Sequence, residues 1–343
     1  VQVHRVIINP TALHWLNRFT LKRQRVANQW ILQSWLLNRS CAKLHRECPL
    51  DLIQYASYTA TGLFRLRTVP AIVRLSSYEP MFQTACDQPA SLNNRLKTYL
   101  EKVAIGRADA VFCPSQVVAD AASRDTGKSI KVIESPFTGN PREVDDQPFK
   151  SLLEGKKFLL FFGMLSVLKG VLSIAEIISP LLSTHSDLYF VFIGKDGGYL
   201  NQPMIEHVWE KAGTYRGRVL YLGQMPHSQL YPILAHAAAV VLPSRIDNLP
   251  NTCLEAMACR RVVIGTRGAS FEQLIEDEVN GFLAPIDSPA GLLSIVEKVL
   301  SLPESEKLKL GERAANRIEA LRPEVAINRL VALYKSVIVD KAI

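Results

Sequence analysis

The sequence predicts an α/β protein built from two doubly wound, Rossmann-like domains. Short apolar runs alternate with helical stretches along the chain, a pattern typical of parallel sheets covered by helices. Several of these runs end in glycine, which lets a backbone approach a ligand closely. The chain has 343 residues, more than one hydrophobic core usually supports. Two domains are therefore expected.

In the first domain, helices and strands alternate up to a turn-rich linker. We predict helices over 11–46, a strand at 52–55, a helix to about Arg65, a strand at 71–75, a helix over 93–106, a strand at 110–113, a helix from Ser115 and a strand at 131–134. The turn-forming residues of 135–141 indicate the linker. The predicted domains are therefore 1–140 and 141–325.

In the second domain, an apolar run at 158–162 ends at Gly163 and is followed by a loop and a helix. Lys169 stands where that helix begins, next to Gly170. Because Gly163 lets the backbone come close, and because a lysine ammonium binds phosphate as a point charge, this loop suits a phosphate group. Two further strands end at Gly194 and Gly223.

The most informative segment is 244–259, which places two carboxylates, Asp247 and Glu255, around the start of a helix. An apolar run ending at Pro243 precedes it, so the segment lies at a strand-to-helix turn. We predict that Asn248 is the N-cap and that Pro250 lies in the first turn. The free amides around 249–251 then suit a diphosphate.

Glu255 lies about 7–8 Å further along this helix, at about 1.5 Å rise per residue. A carboxylate at that distance can accept hydrogen bonds from a ribose diol while the diphosphate rests on the helix start. Asp247, before the helix, faces the group beyond the phosphates. These positions predict a site for a nucleoside diphosphate that carries a further polar group.

The pattern of an acidic residue, Asp247, followed after seven residues by Glu-Ala-Met-Ala resembles the donor-site signature of a known group of enzymes. These are the retaining, nucleotide-sugar-dependent glycosyltransferases of the GT-B fold and family-4 type. This group includes bacterial transferases of polysaccharide and lipid-linked sugars, which act in cell-envelope synthesis. The resemblance implies two Rossmann-like domains with a cleft between them, and a last helix, 326–343, that returns to the first. It also implies a UDP- or GDP-linked sugar as substrate, retention of configuration, and no metal or cofactor.

The resemblance assigns roles to individual residues. Asp247 is expected to be catalytic, against hydroxyls of the donor sugar. The loop after the strand ending at Gly223 is expected to line the nucleotide base. Donor-binding residues are expected to be Gly163, Lys169, Gly194, Gly223, Gln224, Met225, Asn248, Leu249, Pro250, Asn251 and Glu255.

The chain departs from the family pattern at several points. Met164 replaces the usual Arg, and 260–262 read Arg-Arg-Val where Gly-Thr-Pro is usual. No glycine-rich loop precedes residue 60, so we expect the first domain to lack its N-terminal strand and Gly-rich loop. Ser76 replaces a His near the transferred sugar. Ser76 and Glu79 are candidate acceptor-side residues, although a surface or capping position is favoured for Glu79.

The net charge of +8 is concentrated in residues 1–46, which carry eight basic residues and no acidic one. This segment also contains Trp15, Trp30 and Trp35. Two interpretations stay equally open: an interfacial helix on an anionic membrane, or a packed helix whose Arg stems cover neighbouring residues. No nucleic-acid motif accompanies the charge. Scattered cysteines predict reduced thiols, and we expect a cytoplasmic protein, peripheral on the membrane under the first interpretation.

The favoured function is transfer of a sugar from a nucleotide-sugar donor to a hydroxyl of a glycan or lipid-linked acceptor. Two rival hypotheses remain open. One is a GT-B-type sugar-nucleotide epimerase, which needs catalytic carboxylates and a His facing the cleft. The other is a non-catalytic sugar-nucleotide-binding subunit, suggested by Met164, Ser76 and the missing glycine loop.

Overall fold

The computed structural model describes residues 3, 5–6, 17–18, 23–139 and 143–342. The chain divides into two compact units, each built on a parallel sheet. The first unit comprises Val1–Ser135 together with Ala326–Ile343, and the second comprises Pro136–Val325. Two α/β units with parallel sheets were predicted.

The first unit contains a sheet of four parallel strands in the order β1-β2-β3-β4. The strands are β1 (Ile53–Ala56), β2 (Ala71–Arg74), β3 (Ala110–Cys113) and β4 (Lys131–Val132). The helices are α1 (Arg25–Glu47), α2 (Glu79–Ala85), α3 (Leu92–Arg107) and α4 (Gln116–Thr126), with α12 (Pro323–Ala342) contributing most of its length.

Both faces of this sheet are covered, because alternate strand residues point to opposite sides. One face, which includes Val73 and Val111, packs in a core cluster with α4. On the other face, Ile72 and Phe112 pack with Leu333 of α12.

Three local predictions for the first unit need correction. The helix expected up to Arg65 is only a 3₁₀ turn, Tyr58–Ala60. Thr59 and Ala60 have φ values of 63° and 50°, and such left-handed backbone interrupts a right-handed helix. Helix α2 was not predicted, and β4 is shorter than expected. Most of the start of the predicted first helix, 11–46, lies outside the described residues.

The second unit contains a sheet of six parallel strands in the order β7-β6-β5-β8-β9-β10. The strands are β5 (Lys157–Phe162), β6 (Leu188–Ile193), β7 (Val219–Tyr221), β8 (Ala239–Val241), β9 (Val263–Thr266) and β10 (Phe282–Ala284). The helices are α5 (Gln147–Leu152), α6 (Val171–Thr184), α7 (Met204–Ala212), α8 (His227–His236), α9 (Asn251–Ala258), α10 (Pro289–Ser301) and α11 (Glu304–Glu319).

Numbered within this unit alone, the strand order is 3-2-1-4-5-6, the order of a Rossmann domain. The central strands β5 and β6 are almost entirely apolar and buried, as expected when helices cover both faces of a parallel sheet. The strand order reverses between β5 and β8, which are parallel and pair through Leu160 and Val240. Ligands of open parallel sheets bind outside the carboxyl ends of the strands at this reversal.

Candidate functional site

The segments singled out in the sequence meet at this reversal point of the second unit. Gly163 directly follows β5, and segment 244–259 follows β8, the neighbouring strand. Because β5 and β8 are parallel, both segments lie at the same edge of the sheet. The structure thus brings together the two loops in which the sequence predicted phosphate and sugar contacts.

Glycines close this edge of the sheet. The Gly163 N–H donates to the Ile193 carbonyl at 2.9 Å, and the Gly194 N–H donates to the Gly223 carbonyl at 2.8 Å. Gly194 has φ +140°, and a Cβ there would lie 1.9 Å from the Gly163 carbonyl oxygen. Any side chain at Gly194 would therefore force the strand ends apart. Beside Gly223, Gln224 is exposed, whereas Met225 packs partly against the core.

The loop after Gly163 is fixed against the segment after β8. Gly170, with φ +72°, passes so close that a Cβ would lie 1.8 Å from the Pro243 carbonyl oxygen. The Arg245 N–H donates to the Leu168 carbonyl at 2.8 Å. Lys169 is thereby held beside the acidic residue of the motif.

Lys169 and Asp247 form an ion pair, with 2.5 Å between Nζ and Oδ2. Asp247 is held by its neighbours, since its Oδ1 accepts from the Asn248 N–H at 3.0 Å and its carbonyl accepts from the Ser270 hydroxyl at 2.8 Å. The sequence assigned Lys169 to phosphate and Asp247 to sugar without predicting that they pair. A phosphate that binds Lys169 must share this ammonium with Asp247.

Helix α9 begins later than predicted. Pro250, not Asn248, is the N-cap, and its carbonyl accepts from the Cys253 and Leu254 N–H groups at 3.0 and 3.1 Å. Pro250 has an extended backbone, with φ −71° and ψ 106°, which stops the helix from starting earlier. Leu249 is buried in the core and Asn251 is exposed. The first-turn amides of α9 therefore start at Asn251.

Glu255 lies in the second turn of α9, and its side chain is mostly buried. Burial raises the pKa of its carboxyl, while the positive charge of His227 opposes this shift. The His227 Nε2 lies 3.6 Å from Oε1 of Glu255. His227 was not predicted as a site residue. The feature of the sequence that could have indicated it is its position at the start of α8, just after the loop 223–226.

The acceptor-side candidates lie in the first unit, after β2. Ser76 is exposed. Glu79 is the first residue of α2 and is buried, so of the favoured surface or capping position the surface alternative is wrong, while the residue does lie in the first turn of a helix. Its carboxylate pairs with Lys97 and accepts a hydrogen bond from Gln83 at 2.8 Å. The inward-facing Lys97 ammonium explains why this carboxylate turns away from solvent.

A second buried carboxyl, Glu101, lies beside this pair. Its Oε2 accepts from the Glu79 N–H at 2.7 Å. Burial raises the pKa of Glu101 to about 8, and the negative charge of Glu79 adds to the shift, while hydrogen bonds and Lys97 oppose it. The Lys97 ammonium therefore lies near two carboxyl groups, and the second of them, that of Glu101, retains its proton at neutral pH.

This raised pKa predicts a pH-dependent stability. In the unfolded chain Glu101 ionises near its ordinary value of 4.5, so between about pH 4.5 and 8 the unfolded state loses a proton that the folded state keeps. Stability should therefore fall as pH rises through this window, by up to about 1.4 kcal/mol per pH unit. Glu101→Gln, which is neutral throughout, should remove this decline in urea unfolding between pH 6 and 8.

Glu47→Gln is the matched control for this measurement, because Glu47 is an exposed residue of the same unit. It should retain the wild-type decline. An equally steep decline in Glu101→Gln would show that Glu101 does not hold its proton in the folded state.

Comparisons with known proteins agree with this architecture. Residues 156–302 match the family described as Glycosyl transferases group 1. The chain is 24% identical over 297 residues to alpha-D-kanosaminyltransferase of Streptomyces kanamyceticus, covering 83% of this chain and 75% of the relative. In two further curated relatives the match spans only 58% and 43% of their length.

Solved structures show the same fold. Sucrose-phosphate synthase from Thermosynechococcus elongatus superposes with a TM-score of 0.74 at 18% identity, covering 91% of this chain and 79% of that one. HepE from Anabaena, in complex with UDP, superposes with a TM-score of 0.70 at 19% identity, covering 88% of this chain and 82% of that one.

The chain thus has the GT-B fold, and a segment of its second unit is similar to the family described as Glycosyl transferases group 1. The family match and the curated relative support glycosyltransferase function. In the described part of the chain, no helix combines the length and apolar character needed to cross a bilayer.

Proposed function

We propose that this protein transfers a sugar from a nucleotide-diphosphate-sugar donor to an acceptor hydroxyl, with retention of configuration and without a metal ion. The observation that carries the proposal is the Lys169–Asp247 pair at the reversal point of the second sheet, next to the start of α9. This arrangement places a cation, helix amides and a carboxylate within one small region.

The charges suit the chemistry of a leaving diphosphate. When the glycosidic bond breaks, negative charge develops on the diphosphate, and a fixed ammonium and the positive end of a helix stabilise that charge. Lys169 and the first-turn amides of α9, from Asn251, supply both. Gly163 allows the diphosphate to approach the backbone, and Gly194 lies at the same glycine edge.

The two carboxylates bind the ends of the donor. We assign Asp247 to hydroxyls of the transferred sugar, because Lys169 holds it beside the diphosphate position. Glu255 binds the ribose diol from its place further along α9. The loop with Gly223, Gln224 and Met225 lines the base, which is uracil or guanine. The acceptor is a glycan or lipid-linked glycan. Of the two acceptor-side candidates we retain Ser76, which is exposed, because the carboxylate of Glu79 is buried and paired with Lys97.

Donor turnover with and without acceptors tests this function. A panel of UDP- and GDP-linked sugars is first screened by thermal shift, where a donor at 100 times its Kd should stabilise by about 2.7 kcal/mol. Sugar transfer that requires an acceptor supports the proposal. Conversion of the donor sugar without any acceptor would favour an epimerase. Donor binding without turnover would favour a non-catalytic subunit.

Glu255→Gln should weaken nucleotide-sugar binding. A neutral amide accepts weaker hydrogen bonds from a diol than a carboxylate does, so we expect a loss of about 1.5–3 kcal/mol, or roughly 10- to 100-fold in Kd. Calorimetric titration with UDP and with GDP measures the change. Glu312→Gln, at an exposed position of α11 in the same unit, is the control. Unchanged affinity in a folded Glu255→Gln variant would remove Glu255 from the site.

We further propose that the first unit contacts an anionic membrane through residues 1–46. Trp35 supports this proposal: its side chain is 45% exposed, with the Arg39 guanidinium over its ring at 5.4 Å. Trp30 instead packs inward against Tyr58 and Lys97. The interfacial hypothesis therefore depends on Trp35 rather than on Trp30, and Trp15 lies outside the described residues.

Vesicle binding should fall steeply with added salt and with removal of acidic lipid, because basic residues such as Arg18, Arg23 and Arg25 contribute about 1 kcal/mol each near a charged surface. Trp emission should shift to the blue on anionic vesicles, and Trp35→Phe should abolish that shift. Equal binding to neutral and anionic vesicles, or unaltered emission, would favour an acceptor that is not on a membrane.

A further inference from the structure

A cavity lies in the second unit, at the edge of its sheet opposite to the glycine edge. It has a volume of about 240 Å³. The starts of three strands line it. Lys157 and Phe158 begin β5, Ala237 and Ala238 precede β8, and Val262 precedes β9. Because all strands are parallel, the cavity lies at their amino ends, whereas the donor site lies at their carboxyl ends.

The lining of this cavity is strongly basic. Lys157, Arg260, Arg261 and Lys307 contribute four cations, against one carboxylate, Glu304. Lys307 pairs with Glu304 at 2.8 Å, so these two charges balance each other. Lys157 lies 3.9 Å from the Asp187 carboxylate, which is outside the lining, so the net positive charge comes chiefly from Arg260 and Arg261.

Arg261 is oriented by its own backbone neighbourhood. Its Nε donates to the Cys259 carbonyl at 3.2 Å, which leaves the two terminal nitrogens of the guanidinium for another acceptor. Burial lowers the pKa of Arg261, because its charged form is poorly solvated. A bound anion would stabilise that charged form.

Arg260 occupies a backbone position that favours glycine. It follows α9 with φ +56°, and its N–H donates to the Met257 carbonyl while the Arg261 N–H donates to the Ala256 carbonyl. This is the Schellman end of a helix, where glycine is the usual residue. Gly311 of α11 packs against this turn, since a Cβ there would lie 2.1 Å from the Arg260 carbonyl. The exposed Arg260 lines the cavity from this turn.

We propose that this cavity binds a small phosphate-bearing anion. Its volume lies below the range of about 300–1,000 Å³ that is typical of drug-sized ligands, but it accommodates a phosphate or diphosphate group. Guanidinium groups bind phosphate oxygens through paired N–H donors, and two successive arginines are available here. The first residue of α11, Glu304, also lines the cavity, so the positive end of this 16-residue helix adds to the attraction. This site is separate from the proposed donor site.

Calorimetric titration with inorganic pyrophosphate at low salt tests the proposal. We expect Arg260→Gly and Arg261→Gln each to weaken binding at least tenfold. Arg260→Gly should also raise the Tm measured without pyrophosphate, because it relieves the backbone conformation, and a raised Tm excludes misfolding as the cause. The control is Arg313→Gln, which removes an exposed arginine of α11 that does not line the cavity.

Lys169→Ala separates this site from the donor site. Binding that depends on Arg260 should persist in Lys169→Ala, whether or not the protein binds any nucleotide sugar. Vesicles containing phosphatidic acid should bind Arg260→Gly and wild type equally, because the cavity takes a soluble anion. Wild-type pyrophosphate affinity in both arginine variants, or loss of all pyrophosphate binding in Lys169→Ala, would overturn the proposal. So would loss of vesicle binding in Arg260→Gly with pyrophosphate binding intact.

Discussion

Lys169→Ala should lower kcat/KM for the nucleotide-sugar donor about 100-fold, which corresponds to about 2.7 kcal/mol. Two effects combine in this loss. The diphosphate loses its fixed cation, and the Asp247 carboxylate, 2.5 Å from Nζ in the ion pair, is left uncompensated beside the negative diphosphate. Affinity for UDP and GDP should fall, whereas affinity for uridine and guanosine should change little.

A double variant tests whether Asp247 causes part of this loss. Asp247→Asn in the Lys169→Ala background removes the uncompensated charge and should recover part of the UDP or GDP affinity, which a double-mutant cycle measures. Lys211→Ala is the control, since Lys211 pairs with Glu176 on the surface of the same unit. An equal loss of affinity for nucleoside and nucleoside diphosphate would argue against contact between Lys169 and phosphate.

Gly170→Ala should destabilise the second unit by more than 3 kcal/mol, an effect of the size that severe backbone strain produces. The added Cβ would lie 1.8 Å from the Pro243 carbonyl oxygen, a backbone atom that cannot move without shifting the end of β8. The positive φ of +72° adds to the cost. Urea unfolding measures the change in the free energy of unfolding.

Gly217→Ala is the matched control, because a Cβ at Gly217 meets no atom within 4 Å. Its effect should stay below about 1 kcal/mol. Similar stabilities for the two variants would show that the approach of Gly170 to Pro243 is not fixed in the folded protein.

The sequence predicted the structure best where a clear hydrophobic pattern is bounded by residues that end a strand or helix. Strands β5 and β6 are continuous apolar runs that end in glycine, so their type, ends and parallel packing followed from the residues alone. The helix that Lys169 and Gly170 precede was predicted for the same reason. Helices α3 and α4 were also predicted, and in the structure Ser91 and Ser115 cap their starts.

Other features depend on contacts between residues far apart in sequence. The pairing of Lys169 with Asp247 joins two loops, and no local pattern indicates that their charges meet. The burial of Glu79 was not predicted, because its partner, Lys97, is 18 positions away. The left-handed backbone at Thr59 and Ala60 replaced a predicted helix, and neither residue type signals such a turn.

The order of segments along the chain bears on how the protein folds during synthesis. Ile72 and Phe112, on one face of the first sheet, pack against Leu333 and Val337, which are made more than two hundred residues later. Until those residues leave the ribosome, this face lacks its apolar cover, while the whole second unit has already been synthesised. We therefore expect the second unit to complete its core first, although it comes later in the chain, and the first sheet to need shielding from aggregation during translation.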